Sequence, residues 1–373
     1  MRLKALAAVT AAAIVALPAT DSEAQKRVRW KLQSTWGAQV PVLGSSGVAF
    51  TKNIDTITDG RFKIKFEEPG ALVPALECFD AASKGSVESC WTTPGYHTGK
   101  LGKAVSFFTA VPFGPRFGEF QAWKKYGNGD KLRDELYKPY GVIAFDMLCI
   151  SPETSGWFRK EIPSVESMKG MKMRFFGLGA LVMQKLGVST QLLAGADIYP
   201  ALEKGVIDAT EFSMPITDIK YGFHQIAKFN YFPGWHQQVS CSEILMNRKA
   251  FEALPAGYQK LIEVTAGDQV TKTIAETEAT NPPALNKMQK ENGVTVKRWP
   301  NSELAKFEAS WNEVVAEESE ADPTFKKIAD DYFNFRKEYK FWGEAQAKDA
   351  TYRKSVVVVS GEHCLHGGAP SFA

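Results

Sequence analysis

Two charged side chains stand where an α/β chain would present working groups. Arg174 belongs to a strand-like run, Lys172–Phe176, just before a glycine-containing turn into a helix. A planar guanidinium fork held at a strand end suits bidentate recognition of a carboxylate. Glu211 follows the strand-like residues Ile207–Thr210. A carboxylate there lies at the carboxyl end of a strand, where α/β sheets open their ligand crevice. The plainer reading of both is a surface charge in water or paired with a neighbour. Three aromatic residues come next: Trp36 after the first strand, Tyr96 after a strand at Val87–Trp91, and Trp235. Each is a candidate pocket wall and equally a candidate core residue. Phe175 and Phe176 follow Arg174 directly, and strand alternation aims only one of them inward.

Catalytic signatures are absent. The sequence has no HExxH, GxSxG, Walker GxxxxGK[ST] or GxGxxG,. Of its five histidines, only His363 and His366 are close in sequence, flanking Cys364 and Leu365. That tail could bind a metal adventitiously, but it reads first as a loose polar terminus.

The elements that must position Arg174 and Glu211 follow an alternating rhythm. Val28–Gln33 and Arg61–Glu67 alternate apolar and polar residues, as strands do,. Val42–Ile57 carries helical spacing. Pro74 opens a helix that stops at Gly85. Val142–Cys149 is an apolar run of strand length, and Leu178–Leu186 is a helix stopped by Gly187,. Asp197 is expected to cap a short helix ending at Gly205, and Ile207–Phe212 is expected to be a strand. Beyond residue 250 the chain turns helical: Pro255–Met288, then a helix marked by Leu304, Phe307, Trp311, Val314 and Val315. A last helix is signalled by the Asp322-Pro323 cap and carries Phe325, Ile328, Tyr332, Phe335 and Tyr339 at helical spacing,. That aromatic stripe suits a core or a subunit contact. The pattern predicts an α/β fold with helices packed on sheets.

The composition is ordinary for a globular protein: 44% of the 373 residues are apolar and the formal charge is +3. This excludes disorder and gives no reason to expect a nucleic-acid partner. Residues 1–24 read as a secretory signal peptide. Arg2 and Lys4 precede an apolar Ala5–Leu17 stretch, and Ser22 and Ala24 fit a cleavage site before Gln25,. An exported, periplasmic product is expected. The five cysteines, Cys78, Cys90, Cys149, Cys241 and Cys364, show no CxxC pair and read mainly as small buried hydrophobes, although an oxidising compartment permits a disulfide,.

The segment from 151 to 240 contains GWFRKEI, a strand-borne Met173-Arg174, AGADIYPALEKGVIDATE and YFPGW. With LVPALECFDAASKG and FFTAVPFG upstream, this closely resembles the periplasmic solute receptors of tripartite ATP-independent periplasmic (TRAP) transporters. It looks most like the branch that binds 2-oxo acids and lactate. The resemblance covers nearly the whole exported chain. It implies a two-lobed α/β fold with a ligand cleft, no enzymatic activity, and delivery of a small monocarboxylate to membrane permease subunits. It gives Arg174 the substrate carboxylate. It gives Glu211, and the backbone carbonyl of Phe212, a metal ion, Ca²⁺ or Na⁺, that bridges to the substrate; the branch carries Trp at the position of Phe212. Two further positions depart from the pattern. Glu153 stands where the branch has Gln, and Gln237 where it has an acid. The swaps cancel in charge, and both residues still offer oxygens to a hard cation. The resemblance also implies a homodimer built on swapped C-terminal helices.

The expected organisation is a signal peptide at 1–24, lobe I at 25–148 with part of 240–300, lobe II at 149–239, C-terminal helices at 300–354 and a tail at 355–373. Three rival readings stay open: a receptor for an aromatic or larger carboxylate, an exported metal-assisted hydrolase using Glu153 and Glu211, and a purely structural metal site.

Overall fold

The computed structural model describes residues 27–347. The proposed signal peptide and the His363–His366 tail lie outside the described residues. Within them are eleven strands: β1 (Val28–Ser34), β2 (Phe62–Glu67), β3 (Ser89–Thr92), β4 (Val142–Ile150), β5 (Gly156–Phe158), β6 (Lys172–Arg174), β7 (Ser189–Gln191), β8 (Ala209–Thr210), β9 (Phe229–Phe232), β10 (Ser240–Asn247) and β11 (Thr295–Arg298). They form two sheets, one ordered β2-β1-β3-β10-β4 and one ordered β11-β9-β5-β8-β6-β7. Each sheet with its covering helices makes one lobe.

The first sheet follows from the sequence alternation. Val28, Trp30 and Leu32 of β1 are buried against Phe62 and Ile64 of β2, which runs parallel to it in register. Arg29, Lys31, Lys63 and Lys65 point to the other, solvated face,. β10 runs antiparallel between β3 and β4. The chain passes to the second lobe after β4 and returns just before β10, so these two neighbouring strands form one connection between lobes; it crosses again to reach β11 of the second sheet.

Helices tie the lobes together. The helix Ala256–Lys290 lies along β4 and also meets the helix Pro215–Tyr221 of the second lobe. Its Thr273 hydroxyl donates to the Cys149 carbonyl at 3.0 Å, and its Thr277 hydroxyl accepts the Ser151 N–H at 3.1 Å. The next helix, Asn301–Ala321, packs on the second lobe, where Phe307 stacks on Trp235 at 4.4 Å between ring centroids. The last, Pro323–Gln346, returns to the first lobe and brings Phe325 and Tyr332 against Phe107 and Trp123. The Asp322 side chain accepts the Thr324 N–H at 2.8 Å, which is the cap its sequence announces,.

Several sequence expectations need correction. The helix expected from Pro74 begins as a single tight turn, Ala75–Glu77, and becomes α-helical only over Cys78–Ser83. Asp197 is not a cap: the helix spans Gly195–Glu203 with Ala194 at its N-cap, so Asp197 lies in the first turn, where its charge still favours the helix dipole,. The strand expected over Ile207–Phe212 pairs only at Ala209–Thr210. The cysteines are not mere hydrophobes: Cys78 bonds to Cys90, and Cys149 to Cys241. Cys149 and Cys241 face each other across β4 and β10, a pairing that spacing alone does not reveal.

Candidate ligand and metal site

Between the lobes lies a cavity of about 30 Å³. Its first-lobe wall includes Trp36, Thr93 and Tyr96, and its second-lobe wall includes Arg174, Phe176 and Phe212. Glu153, from the segment leaving β4, and Gln237, from the segment entering β10, also line it. The cavity therefore sits where the chain crosses between lobes, and any relative motion of the lobes opens or closes it.

Arg174 is the last residue of β6 and is 1% exposed. Its Nη1 donates to the Glu211 carbonyl at 2.7 Å and to Glu211 Oε2 at 2.9 Å. Its Nε lies 3.3 Å from the Leu193 carbonyl. The protein thus occupies Nε and Nη1, and Nη2 has no protein acceptor among the described residues. That leaves one terminal nitrogen for a ligand rather than the bidentate fork expected from sequence. Phe212 and Phe176 lie against the guanidinium, with their ring centroids 5.1 Å and 5.8 Å from its central carbon. Phe176 turns into the cavity and meets Tyr96 edge-on, whereas Phe175 turns away toward Trp235 and His236. Gly95 makes this closure feasible, because a β-carbon there would collide with the Phe176 ring.

Three further polar groups meet beside Arg174. Gln237 Nε2 donates to Glu153 Oε2 at 2.8 Å and to Glu211 Oε1 at 3.2 Å. His236 places Nε2 at 3.4 Å from Glu211 Oε1 and 3.9 Å from Glu153 Oε2. All four side chains are buried. Burial and the neighbouring Glu211 charge push the Glu153 carboxyl well above its usual range,. Burial acts on Glu211 in the same direction, but Arg174 and then His236 outweigh it and hold that carboxyl below its usual range. The two acids are therefore driven apart, one charged and one disposed to keep a proton unless a cation arrives.

The local backbone holds this cluster in place. The Glu153 N–H donates to the Gln237 carbonyl at 3.2 Å, and the Thr154 N–H to the Ser213 carbonyl at 3.0 Å. Gly234 of YFPGW packs against the Glu153 backbone so closely that a β-carbon would overlap the carbonyl. The motif glycine is thus required by the approach of two chain segments.

Of the residues singled out in the sequence, the structure brings together Arg174, Glu153, Glu211, Phe212, Gln237, Trp36 and Tyr96. Trp235 does not join them. It is 2% exposed, stacked among Phe113, Phe175 and Phe307, and absent from the cavity wall. Its place is to support its neighbour His236, which sequence reasoning passed over. A lone histidine has no spacing partner to flag it; its position between Trp235 and Gln237 was the only available signal.

The model for bacterial extracellular solute-binding protein family 7, DctP, matches residues 32–321. The chain belongs to the DctP family. A relative from Nostoc sp., named a monocarboxylate 2-oxoacid-binding periplasmic protein, is 33% identical over 91% of this chain and 93% of its own. A TRAP transporter solute-binding protein from Bordetella bronchiseptica has a TM-score of 0.83 and 34% identity, covering 86% of this chain and 95% of that one. Its structure is a mixed-occupancy dimer with copurified calcium and picolinate bound. A TRAP solute-binding protein from Pseudoalteromonas atlantica, with bound sodium and pyruvate, has a TM-score of 0.84 and 31% identity, covering 89% of this chain and 100% of that one. DctP proteins are solute-binding receptors, and this chain shares their two-lobed fold.

Proposed function

We propose that this protein is the periplasmic receptor of a TRAP transporter for a small monocarboxylate that carries a second donor atom on the adjoining carbon, a 2-oxo or 2-hydroxy acid. The observation that carries the reading is the spare Nη2 of Arg174 beside two buried carboxylates in a small, aromatic-walled interlobe cavity. Arg174 Nη2 meets one carboxylate oxygen. A cation held by Glu153, Glu211, the Phe212 carbonyl and Gln237 meets the other donors, as calcium or sodium accompanies the ligands of the relatives. Such a cation supplies the positive charge that two buried acids beside one arginine lack. Trp36, Tyr96 and Phe176 exclude water and limit the size of the ligand's tail.

Picolinate in the Bordetella relative favours a second reading, an aromatic carboxylate. The two share one chemistry, because picolinate also has a donor atom next to the carbon bearing its carboxylate. The receptor is exported after cleavage near Ala24, hands its ligand to membrane permease subunits and works as a homodimer.

A thermal-shift screen of ligand-stripped, refolded protein tests this. Pyruvate, longer 2-oxo acids, lactate, picolinate, benzoate and dicarboxylates are each offered with a cation or with chelator. A ligand at 100 times its dissociation constant stabilises by about 2.7 kcal/mol, a readily visible rise in midpoint. A cation-dependent rise with 2-oxo or 2-hydroxy acids is expected. Arg174→Lys, which keeps a charge beside Glu211 but removes the Nη2 donor, is expected to weaken that ligand at least about tenfold, since a charge-assisted hydrogen bond contributes about 1.5–3 kcal/mol. Full affinity in Arg174→Lys sinks the assigned role. A response to picolinate and benzoate alone selects the aromatic reading.

A further inference from the structure

We propose that His236 is a metal ligand, and that it makes the cation site of this chain selective for a first-row divalent ion such as Zn²⁺ over Ca²⁺ or Na⁺. The inference rests on the cation-bridged reading above and goes beyond it in the identity of the ion.

His236 is 1% exposed, yet neither of its ring nitrogens has a hydrogen-bond partner. Buried polar groups without partners are uncommon and call for an explanation. The neighbouring Gln237 Oε1 is likewise buried and unpartnered. One nitrogen of His236 and one oxygen each from Glu153 and Glu211 lie within 4.8 Å of one another. The separations of 3.4 Å and 3.9 Å from Nε2 to the two acids are those of donors that share one cation at bonds of about 2.0–2.4 Å,. His236 Nε2 and the two carboxylates thus face one common point.

The type of donor decides the class of ion. Ca²⁺ is a hard cation that takes six to eight oxygen ligands, and Na⁺ shares its preference for oxygen. An imidazole nitrogen suits Zn²⁺ and its first-row neighbours. Two carboxylates and one imidazole form a three-residue set of the kind that leaves a position open on zinc. In a receptor, that open position belongs to the incoming carboxylate or its 2-oxygen, with no reaction following. The surroundings hold the imidazole still: Phe175 meets its ring edge-on at 5.0 Å, and Gly179 packs so closely on it that a β-carbon there would lie 2.8 Å from the His236 Cβ. The packing fixes the ring with Nε2 toward the two acids.

The test uses the full chain with His363→Gln, Cys364→Ser and His366→Gln, so that the tail cannot bind metal. The protein is unfolded with chelator, its disulfides intact, then refolded and freed of chelator. Zn²⁺ and Ca²⁺ are titrated in competition with a chromophoric chelator and by thermal midpoint. One equivalent of Zn²⁺ is expected to bind at least about tenfold more tightly than Ca²⁺, and His236→Gln to remove that margin. Co²⁺ serves as a probe that needs no site variant: its visible ligand-field bands are expected at one equivalent and are displaced by Zn²⁺ but not by equal Ca²⁺. Tighter Ca²⁺ than Zn²⁺ binding, or Zn²⁺ affinity unchanged in a folded His236→Gln, overturns the proposal. If pyruvate with Ca²⁺ still raises the midpoint in that case, the receptor reading stands and only the choice of ion falls. If no metal and no carboxylate raises it, the receptor reading falls as well.

Discussion

Arg174 combines structural and recognition chemistry in one side chain. Nη1 satisfies Glu211, and that pair fixes the position of the remaining Nη2 donor. His97, one residue beyond the cavity residue Tyr96, has only a structural part. It is buried, packed on Phe79 at 4.7 Å, and its Nε2 has no partner. Burial alone lowers its pKa to about 3 from a usual 6.5. Between those values the unfolded chain binds a proton that the folded protein refuses. The stability His97 contributes is therefore complete above pH 6.5 and falls by about 1.4 kcal/mol per unit as the pH drops toward 3. Urea unfolding of wild type and His97→Leu at pH 7.5 and pH 5 measures this. The variant should lose about 2 kcal/mol less than wild type across that interval; equal losses would show that His97 takes up a proton without cost. At this scale the sequence was informative about residues with a structural address. Arg174 and Glu211 could be placed at strand ends from pattern alone, and Glu153 and Gln237 from the resemblance. His236 could not be placed, because being buried without a partner is a property of packing.

Elements with a long, one-sided period were legible, and short ones were not. β1 and β2 alternate over their first four or five residues because one face is buried and the other solvated. The strands that carry the site, β6 and β8, are three and two residues long and almost wholly buried, so no alternation marks where they end. Pairing across β4 and β10 was equally hidden, and with it the Cys149–Cys241 bond. This bond closes a loop with a sequence separation of 92, against 12 for Cys78–Cys90. If restriction of the unfolded chain dominates, the longer loop stabilises by about 4–5 kcal/mol and the shorter by about 3 kcal/mol. Denaturant unfolding of Cys149→Ala/Cys241→Ala and of Cys78→Ala/Cys90→Ala should rank them in that order. The reverse order would mean that packing around each bond outweighs loop length. The longer loop contains five of the six strands of the second sheet, β5 to β9, so loss of its bond is also expected to loosen the connection on which closure depends.

At the scale of the molecule, the last helix is the element with unfinished business. Its first half is core: Phe325, Ile328 and Tyr332 are buried against the first lobe. Toward its end, Phe341 is 82% and Trp342 57% exposed. The aromatic stripe in the sequence thus divides in two, and a single chain covers only the first part. Covering both rings stabilises by about 1.5–3 kcal/mol each, a gain that a second copy of the chain would supply. Sedimentation velocity should find twice the chain mass at micromolar concentration, and Phe341→Lys/Trp342→Lys should shift the protein to the monomer. A wild-type monomer throughout the concentration range would rule the dimer out. The cavity, by contrast, is lined by residues between Trp36 and Ser242, none of them on the last helix. The monomeric variant should therefore keep its carboxylate affinity within about twofold, as expected of substitutions remote from the site that share no partners with it. A loss of affinity that tracks dissociation would instead make assembly part of the binding site. That outcome would require the last helix to act on the cleft through the first lobe, where Tyr332 meets Phe107 and Trp123.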